Sequence, residues 1–335
     1  MNDEHLSLVQ IFLPHAAREM ARVREKSRRF VYYTSADTGL RILRSERMLL
    51  RNSTLMNDFS EIHHGWNCLL EAYNGAHGMR LQAAIRAVQD DLPEILQGNF
   101  SAQILDVIRE TYLLSVSEHG DPKGEEHGDD HEDNFGRLSM WRAYAPKDGV
   151  AFVMNNRPFL CESNALRAFT SPVAYAMPKD FQPAFEEIVV AIESNIEKLK
   201  PLGGQFVHDS LMNSFRFAVQ STKHPCFQEE REWRVIYSPS LLSRTGALTE
   251  QQMSRIPTEI MTLKGVPQRV LSIPFVDYPE EGFVGATIAA LLDRVLIGPS
   301  QDSYAIHHAF VGELMRPNVP EAESKVVITG IPLRH

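Results

Sequence analysis

The run Phe30-Val31-Tyr32-Tyr33-Thr34 is β-branched and aromatic, and a helix signal follows it almost at once. Ser35 or Asp37 caps a short helix through Leu40, Ile42 and Leu43, and Met48-Leu49-Leu50-Arg51 returns to a strand pattern. Strand, helix and strand thus fall within about thirty residues, which commits this part of the chain to helices packed on a sheet.

The same vocabulary continues to the C-terminus. Tyr112 to Ser117 predicts a buried strand ending in small hydroxyls, Gly149 to Met154 predicts a strand, and between Glu230 and Tyr237 charged residues run into a strand-forming stretch. Further strands are expected at Arg269–Pro274, Arg294–Ile297 and Lys325–Thr329. Helical spacing predicts helices over 6–29, 78–97, 101–112, 181–199 and 203–220. Shorter ones are expected at Phe135–Tyr144, around Val284–Leu292 and at Asp302–Met315. The expectation is an α+β fold with a mixed sheet and helical elaborations. An N-terminal helical extension (1–29) precedes a single domain (30–335), because neither a repeat nor a clear linker interrupts the pattern.

The chain has 335 residues, of which 43% are hydrophobic and 23% charged, enough for a sizeable core. A net charge of −9 excludes a global electrostatic signature of nucleic-acid binding. A local basic run remains in Arg18, Arg22, Arg24, Lys26, Arg28 and Arg29. It reads as a solvated helix end that complements the helix dipole, or else as a phosphate or nucleic-acid contact. Cys68, Cys161 and Cys226 are odd in number and far apart, against a disulfide framework. There is no signal-peptide pattern and no apolar stretch long enough to span a membrane, so no membrane partner is expected and a cytoplasmic location is.

Segment 118–134 carries eight carboxylates and three histidines between Glu118 and Asp133, too polar to pack, and is expected to be a mobile surface loop. His127 and His131 stand at i, i+4, but glycine and acid crowd them, so a solvated loop is favoured over a metal site. His63-His64 is equally weak, and Cys226 beside His224 reads as an incidental cysteine. No nucleophile elbow and no Walker phosphate loop is present, and Gly298-Pro299-Ser300 is a generic turn.

What survives is a set carried on strand ends and one helix: Tyr32, Tyr33 and Thr34, Ser115 and Ser117, Trp141 and Tyr144, and Glu232. Glu232 stands at the mouth of a strand, where the sheet aims a carboxylate with little freedom to miss. The competing reading makes it a surface ion-pair partner, and makes Trp141, Tyr144 and Tyr33 core residues. Aromatic faces beside a fixed carboxylate suit a flat cationic heteroaromatic ring attached to a ribose, as in NAD.

Several motifs together resemble the domain-of-unknown-function family 2971. They are Val31-Tyr32-Tyr33-Thr34-Ser35, the Asn57-Asp58 corner, Ser115-Val116-Ser117, Met140-Trp141-Arg142-Ala143-Tyr144-Ala145 leading to Gly149-Val150, Glu232-Trp233-Arg234, and Ile297-Gly298-Pro299 with Ile331-Pro332-Leu333-Arg334. The chain departs from that pattern at Asn57-Asp58-Phe59-Ser60-Glu61, where Asn-Asp-Pro-Phe-Glu is usual, and in a longer acidic loop. The first motif also resembles the opening of ADP-ribosyltransferases, with Tyr33 at the position of a His and Leu40 at that of a Leu seven residues on.

This second resemblance implies a sheet core of ADP-ribosyltransferase type and NAD as co-substrate. It implies that Glu232 grips the ribose and that Tyr33 orients the dinucleotide. Tyr32, Thr34, Ser115, Ser117, Trp141, Tyr144 and Arg234 would contribute to binding, Arg234 by pairing with the pyrophosphate or with Glu232. The implied activity is transfer of ADP-ribose to a protein or nucleic acid, or hydrolysis of NAD, which a toxin or phage-defence setting would suit. Two readings compete with it: a non-enzymatic nucleotide- or partner-binding module on the same fold, and a metal-dependent hydrolase or nuclease using the acidic-His loop.

Overall fold

Every residue of Gly149–Met154 is buried, which requires a strand covered on both faces. Val150, Phe152 and Met154 point into the largest hydrophobic core, and Ala151 and Val153 into a smaller one on the opposite face. The computed structural model describes residues 3–55, 60–120, 131–163, 165–238, 255–263, 265–317 and 319–332.

The strands are β1 (Arg29–Ser35), β2 (Arg47–Asn52), β3 (Tyr112–His119), β4 (Gly149–Met154), β5 (Phe169–Pro172), β6 (Ala174–Tyr175), β7 (Thr222–Lys223), β8 (Glu232–Tyr237), β9 (Thr258–Leu263), β10 (Val266–Pro274), β11 (Leu292–Ile297) and β12 (Val326–Ile328). Among the described residues, ten of them form one mixed sheet in the order β12-β11-β4-β1-β3-β2-β10-β9, with β8 on β3 and β5 on β8. The β11–β12 pair is parallel and the other pairs of this sheet are antiparallel.

Helices α1 (Asp3–Phe12), α2 (Pro14–Glu25), α3 (Ala36–Ser45), α4 (Ser60–Asn74), α5 (Ala76–Arg86) and α6 (Leu92–Glu110) lie in the first third. Then follow α7 (His131–Phe135), α8 (Leu138–Tyr144), α9 (Pro178–Ser194), α10 (Gly204–Gln220) and α11 (Ser303–Met315). In α10 the buried Val207, Leu211, Phe215 and Val219 recur every four residues, and α9 presents Phe181, Phe185, Val189 and Ile192 at steps of four and three. These stripes meet α1, α4, α5 and α6 around a helical core separate from those of the sheet. The architecture is α+β: a mixed sheet elaborated by many helices.

Several sequence expectations need correction. The helix expected over 6–29 breaks at Pro14, which opens α2, and Arg29 already belongs to β1. The pattern over 78–97 and 101–112 resolves into α5 and α6, with residues 87–91 between them. Phe135–Tyr144 divides into α7 and α8 at Gly136, whose φ of +65° suits a residue without a Cβ. Only Ile288–Leu291 is helical within 284–292.

Residues 121–130 of the acidic segment lie outside the described residues, as do His127 and the Asn57-Asp58 corner. The segment's ends are not loop. Glu118 and His119 continue β3, His131 starts α7, and Glu118, His119 and Glu132 are buried. Their charges are matched: Glu118 by Arg22, and Glu132 by Arg137 and Arg231. The basic run makes ion pairs within the chain: Arg18 pairs with Glu187, Arg24 with Glu162, Arg28 with Glu118, and Arg29 with Asp133 and Asp293.

Candidate functional site

The site arises from an irregularity in pairing. Along one edge β3 pairs with β8 without interruption from Tyr112 to Ser117. Along the other edge β1 pairs with residues 117–119 and β2 with residues 112–113, so among the described residues 114–116 have no neighbouring strand on that side. Continued, either register would bring a partner opposite Ser115, Tyr33 from β1 or Leu49 from β2. Both strands turn away instead: Tyr33 pairs with Ala151 of β4 and Leu49 with Ser272 of β10.

The Glu118 N–H donates to the Arg231 carbonyl, so even-numbered residues of β3 bond towards β8 and odd-numbered ones towards the split. Ser115 therefore directs both its main-chain N–H and its C=O into the opening. The resulting cleft has a volume of about 170 Å³ and is lined by Tyr32, Tyr33, Arg51, Ser115, Ser117, Tyr144, Lys223, Glu230 and Glu232, among others.

Alternation along the strands decides which side chains meet. Ser117 pairs with both Val31 and Glu232, and side chains opposite one another share a face, so Tyr33, Ser115, Ser117, Glu232 and Arg234 all project from the same side of the sheet. That side also carries α8.

Glu232 is 6% exposed and fully engaged. Its Oε1 accepts from the Ser115 hydroxyl (2.5 Å) and Arg234 Nε (2.8 Å), and its Oε2 from Lys223 Nζ (3.2 Å) and an Arg234 Nη (3.2 Å). Its main-chain N–H donates to the Tyr175 hydroxyl (2.7 Å). Burial pushes its pKa up, but Arg234 and Lys223 outweigh that effect and hold it down at about 2. The carboxylate is therefore ionised throughout the neutral range. Lys223 also donates to Glu230 (2.7 Å), whose other oxygen accepts from the Tyr144 hydroxyl (2.8 Å). Burial, reinforced by Glu230, raises the Tyr144 pKa and keeps the phenol protonated.

Tyr33 lines the cleft while its hydroxyl accepts from the Arg137 N–H (2.9 Å). Trp141 stands edge-on to it, with ring centroids 4.9 Å apart, and donates from its indole to the Phe135 carbonyl (2.7 Å). The indole rests on Gly298, where a Cβ would come within 2.7 Å of its ring.

Of the nine residues singled out from sequence, Tyr32, Tyr33, Ser115, Ser117, Tyr144 and Glu232 line the cleft. Trp141 is buried behind Tyr33 and acts on the cleft only through it, and Thr34 is buried and lies outside the lining. Arg234 is 2% exposed and spends its guanidinium on Glu232 and the Gln220 carbonyl, so it is unavailable to a pyrophosphate.

Sequence reasoning missed Lys223, Glu230 and Arg51. Glu230 stands two residues before Glu232, a visible signal, whereas Lys223 and Arg51 carried none. Among the described residues no group of three or more His, Cys, Asp or Glu side chains is placed to hold an ion, and the centre of the acidic-His segment lies outside them. No helix among them is long and apolar enough to cross a membrane.

The split sheet, with a buried ionised carboxylate and the aromatic side chain of Tyr33 on one opening, defines an α+β protein with a cleft at the centre of its sheet. Residues 140–235 match the family described as Protein of unknown function (DUF2971), a span holding both the Met-Trp-x-x-Tyr-Ala motif and the Glu-Trp-Arg strand. No curated protein and no solved structure matches the chain.

Proposed function

We propose that the cleft binds NAD and that Glu232 assists cleavage of its nicotinamide–ribose bond, on a sheet core of ADP-ribosyltransferase type. The observation that carries this reading is the split in the sheet. It puts the ring of Tyr33, the free peptide unit of Ser115 and the ionised Glu232 around one opening.

A primary carboxamide both donates and accepts, which complements the Ser115 N–H and C=O. The Tyr33 ring suits the face of a cationic pyridinium. As the C–N bond breaks, its electron pair leaves with neutral nicotinamide and positive charge develops on the ribose. A carboxylate already ionised and fixed in place stabilises that charge with little reorganisation. The ribose then bonds to a nucleophile of a macromolecular acceptor or to water, which releases a proton to solvent.

The saturation of Glu232 by Ser115, Arg234 and Lys223 favours a second reading, a non-enzymatic nucleotide-binding module, in which the carboxylate is an architectural ion-pair partner. Incubating the protein with NAD labelled in the adenylate, with and without cell extract, separates the two. The proposal expects release of nicotinamide and its loss in the Glu232→Gln and Ser115→Pro variants. Binding of NAD without turnover supports the module, and neither binding nor turnover refutes both.

A further inference from the structure

At the far end of the sheet, β9 is an edge strand of six residues, and among the described residues no strand pairs with its outer side. Edge strands are usually blunted by lysine, proline or a bulge, because bare N–H and C=O groups recruit other chains. Thr258-Glu259-Ile260-Met261-Thr262-Leu263 has no lysine and no proline, and its register with β10 runs without a shift. Ile260 is 72% exposed, and Thr258, Glu259 and Thr262 are exposed as well.

The hydrogen-bonding side of each residue follows from the register. The Ser272 N–H donates to the Pro257 carbonyl, so odd-numbered residues of this strand bond inward to β10, and Thr258, Ile260 and Thr262 direct their main-chain groups outward. Antiparallel pairing of this edge with itself then has a register centred on Ile260. Thr258 meets Thr262 of the second copy, Ile260 meets Ile260, and Glu259 meets Met261. Thr-Glu-Ile-Met-Thr is nearly symmetric about its centre, and the register sets each lone carboxylate against a thioether rather than against its own copy. About six main-chain hydrogen bonds close, and the two sheets join about a twofold axis.

We propose that β9 is the self-association surface of this protein, pairing antiparallel with β9 of a second copy about Ile260. The full chain should sediment at twice its own mass at micromolar concentration. Ile260→Pro, whose lost N–H is an outward one, and Ile260→Lys should each return it to a monomer with an unchanged circular dichroism spectrum.

The register has its own test, made with Cys161 and Cys226 replaced by serine. The two Ile260 Cα atoms lie about 5.5 Å apart in a hydrogen-bonded pair, within disulfide reach. The two Met261 positions are diagonal neighbours, about 7–8 Å apart. Under mild oxidation Ile260→Cys should cross-link two chains and Met261→Cys should not. A chain that stays monomeric at all concentrations overturns the proposal, as does cross-linking of Met261→Cys as efficient as that of Ile260→Cys.

Discussion

Replacing Glu232 by Gln keeps the shape of the side chain and removes its charge, and the cost should depend on pH in a way fixed by the ion pairs around it. The folded-state pKa of about 2 lies below the ordinary 4.5, a difference worth about 3 kcal/mol to the folded protein. Because the pKa is depressed by folding, that stabilisation is fully present above pH 4.5 and is lost as the pH falls towards 2. The Gln variant, which leaves Arg234 and Lys223 short of a countercharge, should be less stable than wild type by about 3 kcal/mol at pH 7. The gap should narrow between pH 4.5 and 2, where the unfolded wild-type chain takes up a proton on this carboxylate while the folded protein still holds it ionised. Urea denaturation of both proteins at several pH values, followed by tryptophan fluorescence with Trp233 in the affected strand, measures the difference directly. A gap that stays constant across that window would refute the argument that Glu232 is an ionised, ion-paired group.

Three further outcomes follow from contacts around the cleft. Gly298→Ala pushes a methyl group to within 2.7 Å of the Trp141 ring, and should cost about 1–3 kcal/mol in chemical denaturation, with the Tyr33 environment altered in near-ultraviolet circular dichroism. Arg234→Met leaves Glu232 buried beside Lys223 alone and should cost about 3–5 kcal/mol, more than Arg234→Lys, as read from the urea midpoint. Ser35→Ala removes the hydroxyl that accepts from the Thr38 N–H at the start of α3, and should cost about 1 kcal/mol in the same assay.

How much of this was legible in sequence depends on the range of the interaction. The strand periods of β1, β3, β4 and β8 are local, and they were read at nearly their observed bounds. Tyr33, Ser115 and Glu232 could be nominated because each sits on such a strand and belongs to a chemically suggestive type. Lys223 could not, because it lies on a two-residue strand and its role comes from Glu230 and Glu232 approaching it in space. The opening was invisible for the same reason: it is a register event, created where β1 and β2 leave β3, and no residue type marks it. Two errors came from reading polarity as disorder. Glu118 and Glu132 look solvated in sequence, yet arginines from α2, from the turn ahead of α8 and from the residue before β8 bury them. Strand β9 went unread because it is short and shallowly buried: Thr258, Glu259, Ile260 and Thr262 are exposed, and Met261 and Leu263 are only half-buried.

The strand that makes the cleft also dictates when it can exist. Ser115 and Glu232 touch across 117 positions of chain, and β3 gains its other neighbours from segments that were synthesised long before it. Contacts of such separation close late, after the loops between them have given up their freedom. The helical layer depends on the same late part of the chain, because α4 packs on both α9 and α10. Helices α9 and α10 lead directly towards β8, so the stretch that completes the helical core also completes the centre of the sheet. Until that stretch is in place the hydroxyl of Ser115 and the carboxylate of Glu232 are solvated separately, and the cleft has no existence.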